Sequence, residues 1–203
     1  MKYGLTVIIT LTVFVLAAIG YVWSGVYNIA ATEPHWNITT TMIDTLRNRS
    51  IAAHSSDASN PDVPQVEPAA FSHYHEMCRL CHGAPEYPPA EFARGLYPVP
   101  PSMTSGSIQQ ARSDSEIYWI VKHGIKMTGM PAFGPTHDEN ALKGLVALVK
   151  DIPRMDPAHY RHGVSEAGEG AHEHMHGEME GATGQNHGDN EHEEHENTEE
   201  GHH

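Results

Sequence analysis

The chain has 203 residues, room for one ordinary domain with extensions, and a formal net charge of −14 at pH 7. From His159 onward twelve acidic residues face a single base, Arg161, so −11 of that charge sits at the C-terminal end. The acidity therefore describes a tail rather than a binding face, and no basic run exists to neutralise phosphates, which sets nucleic-acid binding aside.

Leu5 to Trp23 reads LTVIITLTVFVLAAIGYVW, without a charge. At about 1.5 Å per residue such a helix just spans a hydrocarbon core of about 30 Å. Lys2 precedes it, as the positive-inside rule asks of a cytoplasmic N-terminus, and Tyr21, Trp23 and Tyr27 stand where an interfacial aromatic belt would lie. A cleaved signal peptide, cut near Ala30-Ala31, is the rival reading. The apolar run is longer than such peptides usually carry and ends in bulky aromatics, so residues 1–26 are read as an uncleaved anchor. Both readings export the rest of the chain. The expected location is the inner membrane, crossed once, with the remainder facing the periplasm.

Residues 27–67 read as a juxtamembrane helix and a linker. Pro34-His35-Trp36 marks a turn, and Ile38, Met42, Ile43 and Leu46 recur at helical spacing, for a helix that packs on the domain or lies on lipid. His54 to Pro68 is polar and Pro-rich, without apolar periodicity.

Residues 68–153 have the apolar content of a compact unit, though a small one that wants a staple, metal or cofactor. Three helices are expected: Ala69 to Cys78, Ser113 to His123 and Asp138 to Asp151. The second opens on capping residues and closes at Gly124; the third carries Leu142, Leu145, Val146 and Val149 on one face and stops before Pro153. No strand alternation competes. Gly83 to Ser107 is a long Pro- and Gly-dense connection, unusual unless something else orders it. Residues 154–203 are expected to be a disordered tail, rich in Gly, Glu and His and poor in apolar residues.

Cys78-Arg79-Leu80-Cys81-His82 is the strongest signal. C-x-x-C-H is the attachment pattern of c-type haem: two thiols about one helical turn apart reach two vinyl groups, and the adjoining imidazole becomes the proximal iron ligand. A thioredoxin-like C-x-x-C would need a preceding strand, and a zinc site two further ligands; the chain offers neither. For the distal ligand, Lys122 to Gly134 (KHGIKMTGMPAFG) contains Met127 and Met130, with Met103 a weaker rival and His123 and His137 weaker still. Met130 is preferred, because Gly129 and Pro131 flank it in an extended loop. Met127 reads as packing.

The combination of Cys78–His82, a helix with Trp119 and then Thr128-Gly129-Met130-Pro131-Ala132 resembles the class I (monohaem) cytochromes c over about Pro68 to Pro153. The resemblance implies an all-α class I cytochrome c fold around one covalent haem c, with His82 and Met130 axial, beside the N-terminal transmembrane helix and the disordered C-terminal tail. It also implies a proline carbonyl that orients the proximal imidazole, from within Leu96-Tyr97-Pro98-Val99-Pro100-Pro101. The family's Gly-aromatic contact between first and last helix has no clear counterpart; Phe71 and Tyr74 are the best stand-ins. The segment Ala30 to Trp36 resembles a subgroup of bacterial membrane-bound cytochromes.

An iron with both axial positions filled by protein favours electron transfer over substrate chemistry, so a carrier rather than an enzyme is expected, serving redox protein partners. Trp119 and Tyr118 are expected against porphyrin or core. Arg79, Arg94, Lys122 and Lys126 form either scattered surface charge or a basic docking rim. In the tail, His172, His174 and His176, with His187, His192, His195, His202 and His203, suit weak binding of Zn, Cu or Ni, against the plainer reading of a solubilising tail. A haem-containing metal-binding protein, a haem enzyme or gas sensor in which Met130 is released to open a site, and a haem subunit of a larger membrane oxidoreductase are the alternatives.

Overall fold

The three expected helices of the central segment all form, and among the described residues no strand accompanies them; a single bridge pairs Ala84 with Tyr87. The computed structural model describes residues 2–55 and 66–180, with residues 169–180 by their backbone alone. The expected linker therefore lies largely outside the described residues.

Helix α1, Lys2–Trp23, contains a 21-residue apolar stretch, Tyr3–Trp23, long enough to cross a membrane. Its side chains are exposed throughout, as those of a lipid-facing helix would be. After it the chain folds back in an aromatic turn. The Tyr27 hydroxyl lies 2.8 Å from His35 Nδ1, and the His35 backbone N–H donates to the Tyr97 hydroxyl at 3.4 Å. Trp36 packs against the rings of Tyr21 and Tyr27. Helix α2 comes next as Asn37–Ser55. Ile38, Met42, Ile43 and Leu46 are exposed, whereas Ile51, one residue the periodicity did not single out, is 2 % exposed against the domain.

The first domain helix is a composite. Pro68 opens α3, Pro68–His73, where a missing N–H costs nothing; one π turn, Tyr74–Cys78, then leads into α4, Arg79–His82. A short helix, α5, spans Ser107–Ala111. Helix α6, Asp114–His123, starts in a capping box: Ser113 Oγ accepts from the Glu116 N–H at 3.2 Å, and Glu116 accepts from the Ser113 N–H at 2.9 Å. Helix α7, Glu139–Asp151, is capped by Asp138 and buries Leu142, Leu145, Val146 and Val149, the stripe read from the sequence, together with Leu148. α7 crosses α3 closely because Gly144 faces Ala70, with room for little more than van der Waals contact. An ion pair between Lys150 and Asp114 ties α7 to α6.

The expected boundary at Pro153 is wrong. Helix α8, Pro157–Glu180, begins where disorder was expected, and its first turns belong to the core. Tyr160 is 0 % exposed; its hydroxyl lies 3.2 Å from His75 Nδ1 and its ring meets Phe71, Tyr74 and Tyr87. Gly163 faces the Phe71 ring so closely that a Cβ there would come within 2.6 Å of it. The aromatic–glycine contact of Phe71 is thus made with α8, not with α7. Tyr160, Val164 and Ala167 fall on one helical face, a pattern that the polar composition around them conceals. The described chain divides at Ala167, and beyond it only the continuation of α8 is described. Tyr160→Ala should cost about 3 kcal/mol or more of unfolding free energy, the range for deleting a buried aromatic ring. Urea unfolding of the full chain measures it, and an unchanged midpoint would remove α8 from the core.

Candidate cofactor site

The C-x-x-C-H motif ends the composite helix, and the π turn finishes at its first residue, Cys78. π turns are rare and concentrate at functional positions. Tyr74, buried at the start of that turn, donates from its hydroxyl to the Gly83 carbonyl at 2.7 Å and so braces the far end of the motif. Burial first, then the neighbouring Cys78 and Tyr160, pushes the Tyr74 phenol far above its ordinary range, which keeps it a donor.

Cys78, Cys81 and His82 face a cavity of about 370 Å³, within the range of about 300–1,000 Å³ that small-molecule and cofactor sites occupy. The two thiols are not joined to each other. Burial, and then Cys81, pushes the Cys78 thiol up to about 12. A thiol held so far from ionisation suits neither a redox dithiol nor a reactive nucleophile.

His82 Nδ1 lies 2.8 Å from the Pro101 carbonyl. A carbonyl only accepts, so Nδ1 carries the proton and Nε2 keeps its lone pair. Burial lowers the imidazole below its usual pKa, outweighing the Pro101 bond that raises it, so the ring is neutral at neutral pH. A fixed tautomer with one nitrogen bonded outward and the other open is how metal-binding histidines are oriented. Among the prolines of the 96–101 segment, the carbonyl that does this is Pro101.

Of the methionines weighed for the opposite side, Met103 and Met130 both line the cavity. Met103 stands two residues beyond Pro101, on the segment that buttresses His82, where the Gln109 amide donates to its carbonyl at 3.0 Å and to that of Val149 at 2.8 Å. Met130 comes from a separate loop. That loop is pinned to α6 by Phe133 N–H donating to Val121 O and Gly134 N–H to Lys122 O. Within it, Met130 N–H donates to Thr128 Oγ1 at 3.1 Å, and Ile125 N–H to the Met130 carbonyl at 3.2 Å.

Met127 does not pack as expected. A left-handed backbone (φ 59°) turns it outward, and it is 95 % exposed. His123 is exposed against Trp119, and His137 lies beside His73 and Phe133; neither is among the lining residues. Helix α6 turns Ile117, Ile120 and Val121 to the cavity, while Tyr118 is buried in the core and Trp119 packs against His54 and His123. The four candidate rim bases also separate. Arg79 covers the Tyr87 ring and Lys122 pairs with Glu139, leaving Arg94 and Lys126 exposed.

Gly124 sets the position of the Met130 loop. Its φ is +65°, and a Cβ would lie 2.7 Å from the Pro131 carbonyl carbon and 2.8 Å from the Met130 oxygen. Gly124→Ala should therefore displace the loop and weaken any bond made by the Met130 sulfur. Carbon monoxide binding to the reduced protein should rise from none to a measurable fraction; if it stays at none, the loop does not depend on this glycine.

Among the lining residues that sequence reasoning missed are Arg47 and Ile51 of α2, and Arg112 just before α6. The four-residue spacing of Arg47 and Ile51, one helical face, was the available signal. The lining as a whole suits a flat apolar macrocycle with covalent handles on one side: apolar side chains and the rings of Pro98, Pro100 and Pro101, two thiols, an oriented imidazole and methionine thioethers. Among the described residues no cluster of three or more His, Cys, Asp or Glu could hold a metal ion. The side chains of His172, His174 and His176 lie outside the described residues' side chains, and His187, His192, His195, His202 and His203 lie outside the described residues entirely.

Residues 67–149 match the family described as cytochrome c oxidase, cbb3-type, subunit III, a match over less than half of the chain. No curated protein and no solved structure matches.

Proposed function

We propose that this chain, whose residues 67–149 are a class I c-type cytochrome domain with an all-α fold, is a membrane-tethered electron carrier with a His/Met-ligated haem. A cytochrome c domain carries covalent haem c and transfers electrons. The residues that would hold the group are Cys78 and Cys81 through thioethers, with His82 and Met130 at the two axial positions. The observation that carries the reading is the His82–Pro101 hydrogen bond, made at the edge of a cavity that also receives both cysteines and Met130.

When bound, haem c supplies a one-electron iron couple. The protein's part is orientation and exclusion. Pro101 holds the proton of His82 at Nδ1, the apolar lining would keep water from the bound group, and a thioether from Met130 would favour its reduced form. With His82 and Met130 both given to the group, no position on it would be left for a substrate. Helix α1 supports tethering by its length and exposed apolar surface, with the domain on the periplasmic side. Exposed Arg94 and Lys126 leave a narrower basic rim for an acidic redox partner than the sequence implied.

The family description favours a second reading, that of a haem subunit in a larger membrane oxidoreductase. Extraction of native membranes with mild detergent tests both. The expected result is a membrane-bound protein with a reversible c-type spectrum that does not bind carbon monoxide when reduced. Migration as a free species supports the carrier, and co-migration with another haem protein supports the subunit. Colourless protein from a host competent in haem attachment would overturn both.

A further inference from the structure

The cavity is closed in part by a helix that lies outside the cytochrome c domain. Ile51 and Arg47 of α2 stand four residues apart on one face, and both line it. Ile51 is nearly inaccessible to solvent, and α2 packs along α6, where Arg112 donates to Asn48 of α2. The cavity's lining contains two permanently charged side chains, Arg47 and Arg112, both positive, and no carboxylate. Each guanidinium pairs with one carboxylate. Arg47 donates to Asp44 at 2.9 Å and Arg112 to Glu116 at 3.1 Å, which leaves further N–H groups of each fork uncommitted. Asp44 and Glu116 offset each charge but do not line the cavity, which leaves the uncommitted N–H groups for a second acceptor inside it.

We propose that α2 is a structural wall of the haem site and that Arg47, with Arg112, binds the propionate carboxylates of the haem. The inference rests on the haem reading of the cavity. A macrocycle that is apolar except for two carboxylates matches a lining that is apolar except for two guanidiniums, and guanidinium–carboxylate pairing in low dielectric is strong and geometrically specific. Arg47 is then a positioning residue. It neutralises a charge near the iron, and it couples the membrane-proximal extension to the cofactor without touching the metal.

The test is a spectroelectrochemical titration of the full-length haem protein in detergent. Arg47→Leu should lower the midpoint potential, because an unneutralised carboxylate near the iron stabilises the ferric form. Arg47→Lys, which keeps the charge, should restore most of the shift. Arg49→Leu removes the same charge from an exposed position on the same helix and should leave the potential unchanged. Equal potentials in all three variants, or equal falls in Arg47→Leu and Arg49→Leu, would overturn the propionate site while leaving the haem reading intact. An unmutated chain without haem would remove both together.

Discussion

Replacing Cys78 and Cys81 together with Ala should abolish covalent haem: the denatured chain should run colourless in a gel stained for haem peroxidase activity, where the unmutated chain is stained. Attachment needs both sulfurs on one face of a helix, and α4 starts between them while the π turn ends on the first. Each single replacement should keep one thioether and a stained band, with the haemochrome spectrum shifted toward that of one remaining vinyl group. The loss should also cost stability. A domain of this size contains a cavity of about 370 Å³, and small cores of this kind depend on a staple or cofactor. A stained band from the double variant would mean that the motif is not the point of attachment.

Met130→Ala and Met103→Ala should behave in opposite ways, although both residues line the same cavity. Loss of the Met130 thioether should open an axial position, so that the reduced protein binds carbon monoxide without denaturant. The midpoint potential should fall by on the order of 0.1 V or more, within the span of about 0.8 V that axial ligands control. Met103→Ala should leave the potential nearly unchanged and instead cost about 2–5 kcal/mol of stability, as a buried side chain truncated to Ala does. The asymmetry comes from the backbone. Met103 belongs to the segment whose Pro101 carbonyl holds His82, whereas Met130 arrives on an independent loop hinged at Gly124. Carbon monoxide binding by the Met103 variant and not the Met130 variant would exchange their roles.

The elements with local signals were legible. The capping residues that open α6, the stripe along α7, the uncharged run of α1 and the five-residue motif each act within a few turns of chain, and each is where the sequence puts it. Composition misled where a few residues outweighed many. From Pro157 on, Gly, Glu and His dominate, yet one ring, Tyr160, with Gly163 beneath Phe71, holds the first turns of α8 on the domain. A deletion meant to probe the His-rich tail must accordingly begin beyond Gly168. The π turn had no signal at all, since it differs from an α turn by one hydrogen-bond register and not by residue type.

What the chain alone determined was chemistry: two sulfurs and an imidazole at attachment spacing, a thioether downstream, and an apolar segment long enough to cross a membrane. The tertiary structure decided which partners those groups meet. His82 bonds a carbonyl 19 residues away, His75 meets Tyr160 across 85, and α2 reaches back to close the cavity. The physical reason is separation along the chain. Capping and periodicity are energies of neighbouring residues, readable in a window, whereas these contacts exist only once loop closure has been repaid by burial of the whole core.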